Sequence, residues 1–297
     1  MSVAISPATG RSYGVERVCR VWELPRSSYY AQLGERPPEP ARVARRGPKP
    51  EFSDPALEKL IREDLASSPF LGEGHRKVWA RLRVLGGVRV SRKRVLRIMR
   101  EQHLLSPHRV RRGESLLHEG TITTESPNLM WGTDGARVLT AEEGWGWIFV
   151  GVEHFSTECV GFHVCKEGTR YEALQPIAMG LSGIYGSVEA EVARGLELRM
   201  DHGTQYLSDH FLNQLRFWGI KPSFAFVEQP QTNGVAERFI RTLKEQVIHG
   251  RVYRTIEQVR QAVAAFVALY NDQWRVEKLG FLTPREAREA WEEKAAA

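Results

Sequence analysis

At 297 residues, with 42% hydrophobic and 26% charged side chains, the chain has the composition of a globular protein large enough for one catalytic-sized domain and one or two small modules. No apolar run reaches about 18 residues and the N-terminus has no apolar h-region, so neither a transmembrane helix nor a secretory signal is expected and a cytoplasmic location follows. The net charge of +6 is uneven: residues 1–125 hold 24 Lys+Arg against 14 Asp+Glu, and residues 126–297 hold 18 against 22, so a front half suited to a polyanion precedes a back half better suited to binding metal.

In chain order, residues 13–33 read as two short helices around a turn at 23–25, with Val15, Val18 and Val21 at helical spacing and Pro25 as a helix start. Residues 35–50 are basic and Pro-rich, a linker. Residues 54–105 read as three helices. The first, 55–66, carries Leu57, Leu60, Ile61 and Leu65 on one face. The second, 74–85, buries Val78, Trp79, Leu82 and Leu85 and stops at Gly86 and Gly87. The third starts at the N-cap Ser91 and turns Val95, Leu96, Ile98 and Met99 inward. Arg92, Lys93, Arg94, Arg97 and Arg100 crowd its remaining faces, which fits either the recognition helix of a helix-turn-helix or a solvated basic face. Residues 106–125 read as a second linker.

From residue 126 the pattern turns to strands: 131–140, 145–155 and 158–164 in a meander, a helix over 170–183, a strand over 196–201, a helix over 209–218, a strand over 220–226, and helices over 234–249 and 255–272. This order is that of a mixed α/β sheet flanked by helices. Cys19, Cys159 and Cys165 form no CxxC pair, so packed, reduced thiols are expected rather than a zinc site built on paired cysteines.

Three acids stand at telling places. Asp134 lies inside the first strand, where a carboxylate is costly unless paired or metal-bound. Asp201 ends the fourth strand, at the strand edge where open α/β sheets bind ligands. Glu237 opens the long helix just after Asn233 and Gly234. If strands one and four are neighbours, the three carboxylates converge. Convergent carboxylates repel unless a cation neutralises them, and all-oxygen ligands select Mg²⁺ or Mn²⁺. Two such ions about 3.5–4 Å apart clamp the attacking and leaving oxygens of an in-line phosphoryl displacement. Arg241 and Lys244 share a helix face with Glu237 and would meet DNA phosphates, although the Glu237–Arg241 spacing alone is equally that of a surface ion pair. His202 is placed to orient a phosphate or water beside Asp201, or else merely caps the turn. Asn233 shapes the turn before the helix, and Trp131 is a packing residue.

With these residues in hand, 126–285 closely resembles the catalytic core of retroviral-type integrases and DDE transposases, which implies an RNase H-like fold. Thirty-five residues separate Asp201 from Glu237, the spacing of that family, and Lys244 matches its usual basic residue. WGTDGA, DHGTQYLSDHF, QPQTNGVAERFIRTLKE, YNDQW and LGFLTPREA resemble the second-frame product of a large group of bacterial insertion sequences, and GHRKVWARL with VSRKRVLRIMREQHLL resembles the small helical domain before the core there. Trp274-Arg275-Val276-Glu277 departs from the Arg-Pro-His that members often carry after YN.

The resemblance implies this organisation: a short helical segment (1–34), a linker (35–53), a helix-turn-helix-like DNA-binding domain (54–108), a linker (109–125) and the catalytic core (126–290). It implies a transposase using a pair of Mg²⁺ or Mn²⁺ ions on Asp134, Asp201 and Glu237. Its partner would be double-stranded DNA, both element ends and target, met by a homo-oligomer at the nucleoid. The alternatives are a nuclease of the same fold and an inactive DNA-binding regulator. The resembled group also fuses this product to an upstream frame carrying a helix-turn-helix and a coiled coil. The chain alone is therefore expected to bind element ends weakly, and the fusion to restore binding and transposition.

Overall fold

The computed structural model describes residues 2–33, 51–106, 124–224 and 233–297; most of both expected linkers, and the 225–232 stretch before Asn233, lie outside the described residues. Two compact units result, Met1–Glu51 and Phe52–Ala297.

In the first unit, α1 (Gly14–Val21) and α2 (Arg26–Leu33) flank a turn in which Glu23 takes a positive φ of 51°. The side chain buried here is Cys19, and Val21 is 72% exposed. The valine spacing marks the helix, with Val15 and Val18 half-buried on it.

The second unit begins with α3 (Asp54–Ser67), α4 (His75–Val84) and α5 (Arg92–Glu101). Ser53 and Ser91 cap α3 and α5 by accepting from Ala56 N–H and Arg94 N–H, each at 3.3 Å. Leu57, Ile61, Val78, Leu82, Val88, Val95, Ile98 and Met99 form the shared core. Leu85 is not part of it: the helix has ended, Gly87 turns at φ 65°, and the leucine is left 68% exposed.

The remaining chain builds a five-stranded sheet. Strands β1 (Met130–Thr140), β2 (Gly144–Glu153) and β3 (Cys159–Cys165) pair as an antiparallel meander. Strands β4 (Glu197–Met200) and β5 (Lys221–Phe224) join parallel to β1, giving the order β3-β2-β1-β4-β5. Alternation assigns the faces. Ala136, Val138, Ile148, Val150 and Val164 pack under α8 (Gly234–Leu243) and α9 (Ile256–Gln273). Trp131, Phe149 and Cys165 pack under α6 (Arg170–Tyr185) and α7 (Asp209–Phe217) on the opposite face. Helix α6 lies so close that a Cβ on Gly161 would stand 2.0 Å from the Pro176 carbonyl oxygen. This is the mixed sheet, flanked by helices, that the pattern predicts.

Two features depart from that reading. The helix predicted to run to 249 is α-helical only to Leu243; Lys244–Ile248 form a π-turn, a widening that keeps Val247 buried. The chain also ends in α10 (Pro284–Ala296), begun by Pro284 and a capping box between Thr283 and Glu286.

The helical module and the sheet share a boundary. Phe70 joins the hydrophobic cluster under α9 and meets Trp274 edge-on at 4.9 Å, and Trp79 meets Phe281 at 5.4 Å. The Gln246 side chain accepts from Leu71 N–H and donates to its carbonyl, both at 2.8 Å. Glu277 accepts from Arg76 and, at 3.1 Å, from Arg92. The segment that departs from the resembled pattern, 274–277, therefore supplies docking residues for the helical module.

Candidate active site

Asp134 has the strand parity of Ala136 and Val138, so it projects from mid-β1 toward α8. Gly135 N–H donates to its Oδ1 at 2.7 Å. Burial above all, opposed by Gly135 N–H and Lys244 and helped by the charges of Asp201 and Glu237, raises its carboxyl pKa to about 6. Asp201 stands one residue beyond β4, exposed, with Gly203 N–H donating to Oδ1 at 2.9 Å. Strand β4 is parallel to β1 and hydrogen-bonded to it, which brings this strand end beside Asp134. Glu237 sits in the first turn of α8; burial raises its pKa, Arg241 lowers it and Asp201 raises it. The three acids thus feel one another's charge, and Arg241 and Lys244 feel theirs.

The N-terminus of α8 is fixed to β1 by Asn233. This residue is 2% exposed, and its Nδ2 donates to the Thr133 carbonyl at 2.9 Å. The approach is possible because residue 132 is glycine: a Cβ there would stand 3.0 Å from Asn233 Oδ1, 3.2 Å from His154 Nε2 and 3.3 Å from the Ala236 methyl. Gly132 and His154 were not among the residues singled out from the sequence. A glycine inside the central strand was the available signal for Gly132, since it marks close backbone approach; His154 had none. His202 is exposed, follows Asp201 directly in the chain, and tilts its ring against Phe224 with centroids 5.5 Å apart. Trp131 is fully buried, as expected.

The cations of α5 are largely engaged within the protein. Arg94 reaches Asp54 at 2.6 Å and the Phe52 carbonyl at 2.6 Å, Arg97 reaches Asp54 at 2.5 Å and Glu101 at 2.8 Å, and Arg92 pairs with Glu277. Hydrogen bonds from Arg97 and Arg94 hold the Asp54 carboxyl below its ordinary range. Lys93 is exposed and has no partner among the described residues.

The three cysteines are free and buried. Among the described residues the one His/Cys/Asp/Glu set whose ligand atoms all lie within 4.8 Å of one another is His163, Cys165 and Glu172. No helix among the described residues is long and apolar enough to cross a membrane.

Comparison with known proteins gives two family matches, an integrase core domain over residues 218–284 and an HTH-like domain over residues 56–112. The chain is 25% identical over 294 residues to the insertion element IS2A uncharacterized 48.2 kDa protein of Escherichia coli, an alignment spanning 96% of this chain and 66% of that protein. It is 26% identical over 223 residues to the transposase InsD for insertion element IS2A/D/F/H/I/K of E. coli, covering 72% of each chain. Among solved structures it is similar to the catalytic core domain of BIV integrase, with 21% identity, a TM-score of 0.42, and coverage of 57% of this chain and 99% of that one.

Proposed function

Because this chain is an integrase-type relative of insertion-sequence transposases, we propose that it is a DNA strand-transfer enzyme that cleaves at the ends of an insertion sequence and joins them to target DNA. The observation that carries this reading is geometric: β4, paired parallel to β1, brings the strand end at Asp201 beside Asp134, whose carboxyl burial pushes up, and Asn233 ties the start of α8, with Glu237, to the same strand. Carboxylates held together at such a cost mark a place where charge has a task.

Their all-oxygen chemistry fits Mg²⁺ or Mn²⁺, and three carboxylates are donors that a pair of such ions would share. Bound there, such ions would acidify the attacking oxygen and neutralise charge on the transferring phosphoryl group. The chain's own residues do the rest. Asp134 is fixed by the strand, Asp201 by the Gly203 N–H, and Glu237 by the helix that Asn233 ties to β1. Arg241 and Lys244, already within electrostatic reach of these acids, would hold the phosphates on either side of the scissile one. His202, exposed beside Asp201, would meet the DNA backbone. The test is a duplex oligonucleotide carrying the element's end, incubated with the full chain and Mg²⁺. Strand-joined product is the expected result, in low yield from this chain alone and in higher yield from a fusion that adds the upstream frame. Hydrolysis without joining would make the chain a nuclease, and DNA binding without either a regulator.

On α5, Lys93 and Arg100 are the cations without a partner among the described residues, with Arg92 and Arg97 available once their acidic partners are given up. Lys93→Ala is expected to reduce the log–log salt slope of DNA binding by about 0.9 and leave the thermal midpoint unchanged. Arg94→Ala should do the reverse, because Arg94 ties α5 to Asp54 and Phe52. Salt-dependent binding and melting curves on both variants separate the two roles; an unchanged slope in Lys93→Ala would return α5 to a solvated face.

A further inference from the structure

On the face of the sheet away from Asp134, the edge strand β3 carries His163 and Cys165 two residues apart, both turned toward α6. Glu172 is the third residue of α6, whose N-cap Thr169 accepts from Glu172 N–H at 3.4 Å. In α10 the acid at the same position closes a capping box. Here the Glu172 carboxylate is instead in direct contact with His163 Nε2. The Cys165 thiol donates to the Glu167 carbonyl at 3.2 Å. Cys165 is buried, whereas the side chains of His163 and Glu172 are 28% and 36% exposed. The group is thus open to solvent on one side and screened at the sulfur. Arg260 donates to the Val164 carbonyl at 2.9 Å and is paired with Glu257.

We propose that His163 Nε2, Cys165 Sγ and the Glu172 carboxylate are three ligands of a Zn²⁺ site, separate from the acidic site and on the opposite face of the sheet. One nitrogen, one sulfur and one oxygen donor make a set for borderline-soft Zn²⁺, not for Mg²⁺. A neutral imidazole, a thiolate and a carboxylate together carry the two negative charges that balance the ion. On binding, the thiol gives up its hydrogen bond to Glu167, the proton leaves to solvent, and a sulfur–zinc bond forms. The His163–Glu172 contact is replaced by two metal bonds, the imidazole binding through an unprotonated Nε2 with its one ring proton on Nδ1. Water fills the fourth, solvent-facing position. The ion would clamp the outer strand to the start of the helix that covers it.

Cobalt(II), added alone to the full chain after chelator treatment, is the probe. A near-ultraviolet thiolate-to-cobalt charge-transfer band is expected, displaced by about one equivalent of Zn²⁺. The acidic site has oxygen ligands only and cannot give this band, so Asp134→Asn should retain it. Cys165→Ala should abolish the band, and Glu172→Gln and His163→Asn should each weaken cobalt binding at least about tenfold. No band in the folded wild type, or a band persisting in Cys165→Ala, overturns the proposal. Should Cys165→Ala fail to fold, undiminished cobalt affinity in Glu172→Gln and His163→Asn, which alter partly exposed groups, overturns it equally.

Discussion

Replacing Asp134 or Asp201 by Asn, or Glu237 by Gln, is expected to lower DNA cleavage and joining by at least about 10³-fold. Each change keeps the side-chain outline and removes the charge that holds a divalent ion. Metal stabilisation of a phosphoryl-transfer transition state amounts to several kcal/mol, and roughly 4 kcal/mol corresponds to about 10³ in rate. Asp209→Asn, at the exposed start of α7, is the control acid and should leave the rate unchanged. Single-turnover cleavage on a pre-bound duplex is the measurement, because it separates chemistry from binding. A near-wild-type rate in any one of the three variants would remove that residue from the catalytic set.

The second expected result runs against intuition: in metal-free buffer near neutral pH, the inactive Asp134→Asn variant should be more stable than the wild type. The Asp134 carboxyl titrates at about 6 in the folded chain, against 3.8 as its ordinary value. Between about pH 4 and about pH 6 the folded state therefore binds more protons than the unfolded state, and stability falls as pH rises through that window. Above it the ionised carboxylate imposes its full cost, at most about 3 kcal/mol for a gap of about two units. Asparagine carries no charge, and its Oδ1 can still accept from Gly135 N–H. For a domain of this size the gain corresponds to a rise of several degrees in Tm. Mg²⁺ should raise the wild-type midpoint and leave the variant's unmoved, since a ligand stabilises only the state that binds it. Melting curves with chelator from acidic to neutral pH decide the matter. A variant less stable than the wild type at neutral pH, with an unaltered acidic limb, would show that Asp134 carries no such cost.

Much of this was legible in local pattern. The strand expected over 131–140 set Asp134 inside a sheet, where β1 holds it, and the helix expected from 234 begins there with Ala236, Phe239, Ile240 and Leu243 buried. The adjacency of β1 and β4 was anticipated from the acids themselves. What escaped was set by contacts between distant segments. The π-turn after Leu243 answers to packing and to the Gln246 bonds with Leu71, which lie far away in sequence. The outward turn of Val21 and Leu85 depends on where their helices meet the rest of the chain. The meeting of Glu172 with His163 and Cys165 depends on how α6 settles against β3, through glycines whose partners are not sequence neighbours. Helix α10 is different: its start signal, Thr-Pro-x-Glu at 283–286, is local and stands in the sequence.

Phe70, Trp79 and Glu277 make the helical module a structural lid on the sheet rather than a bead on a string. A fragment starting after the second linker would leave Trp274 and Phe281 without their aromatic neighbours and Gln246 without Leu71. It would present a fresh oily patch to water, prone to self-association. Poor solubility of such a truncated core would reflect the missing cover and not a defect in the catalytic fold.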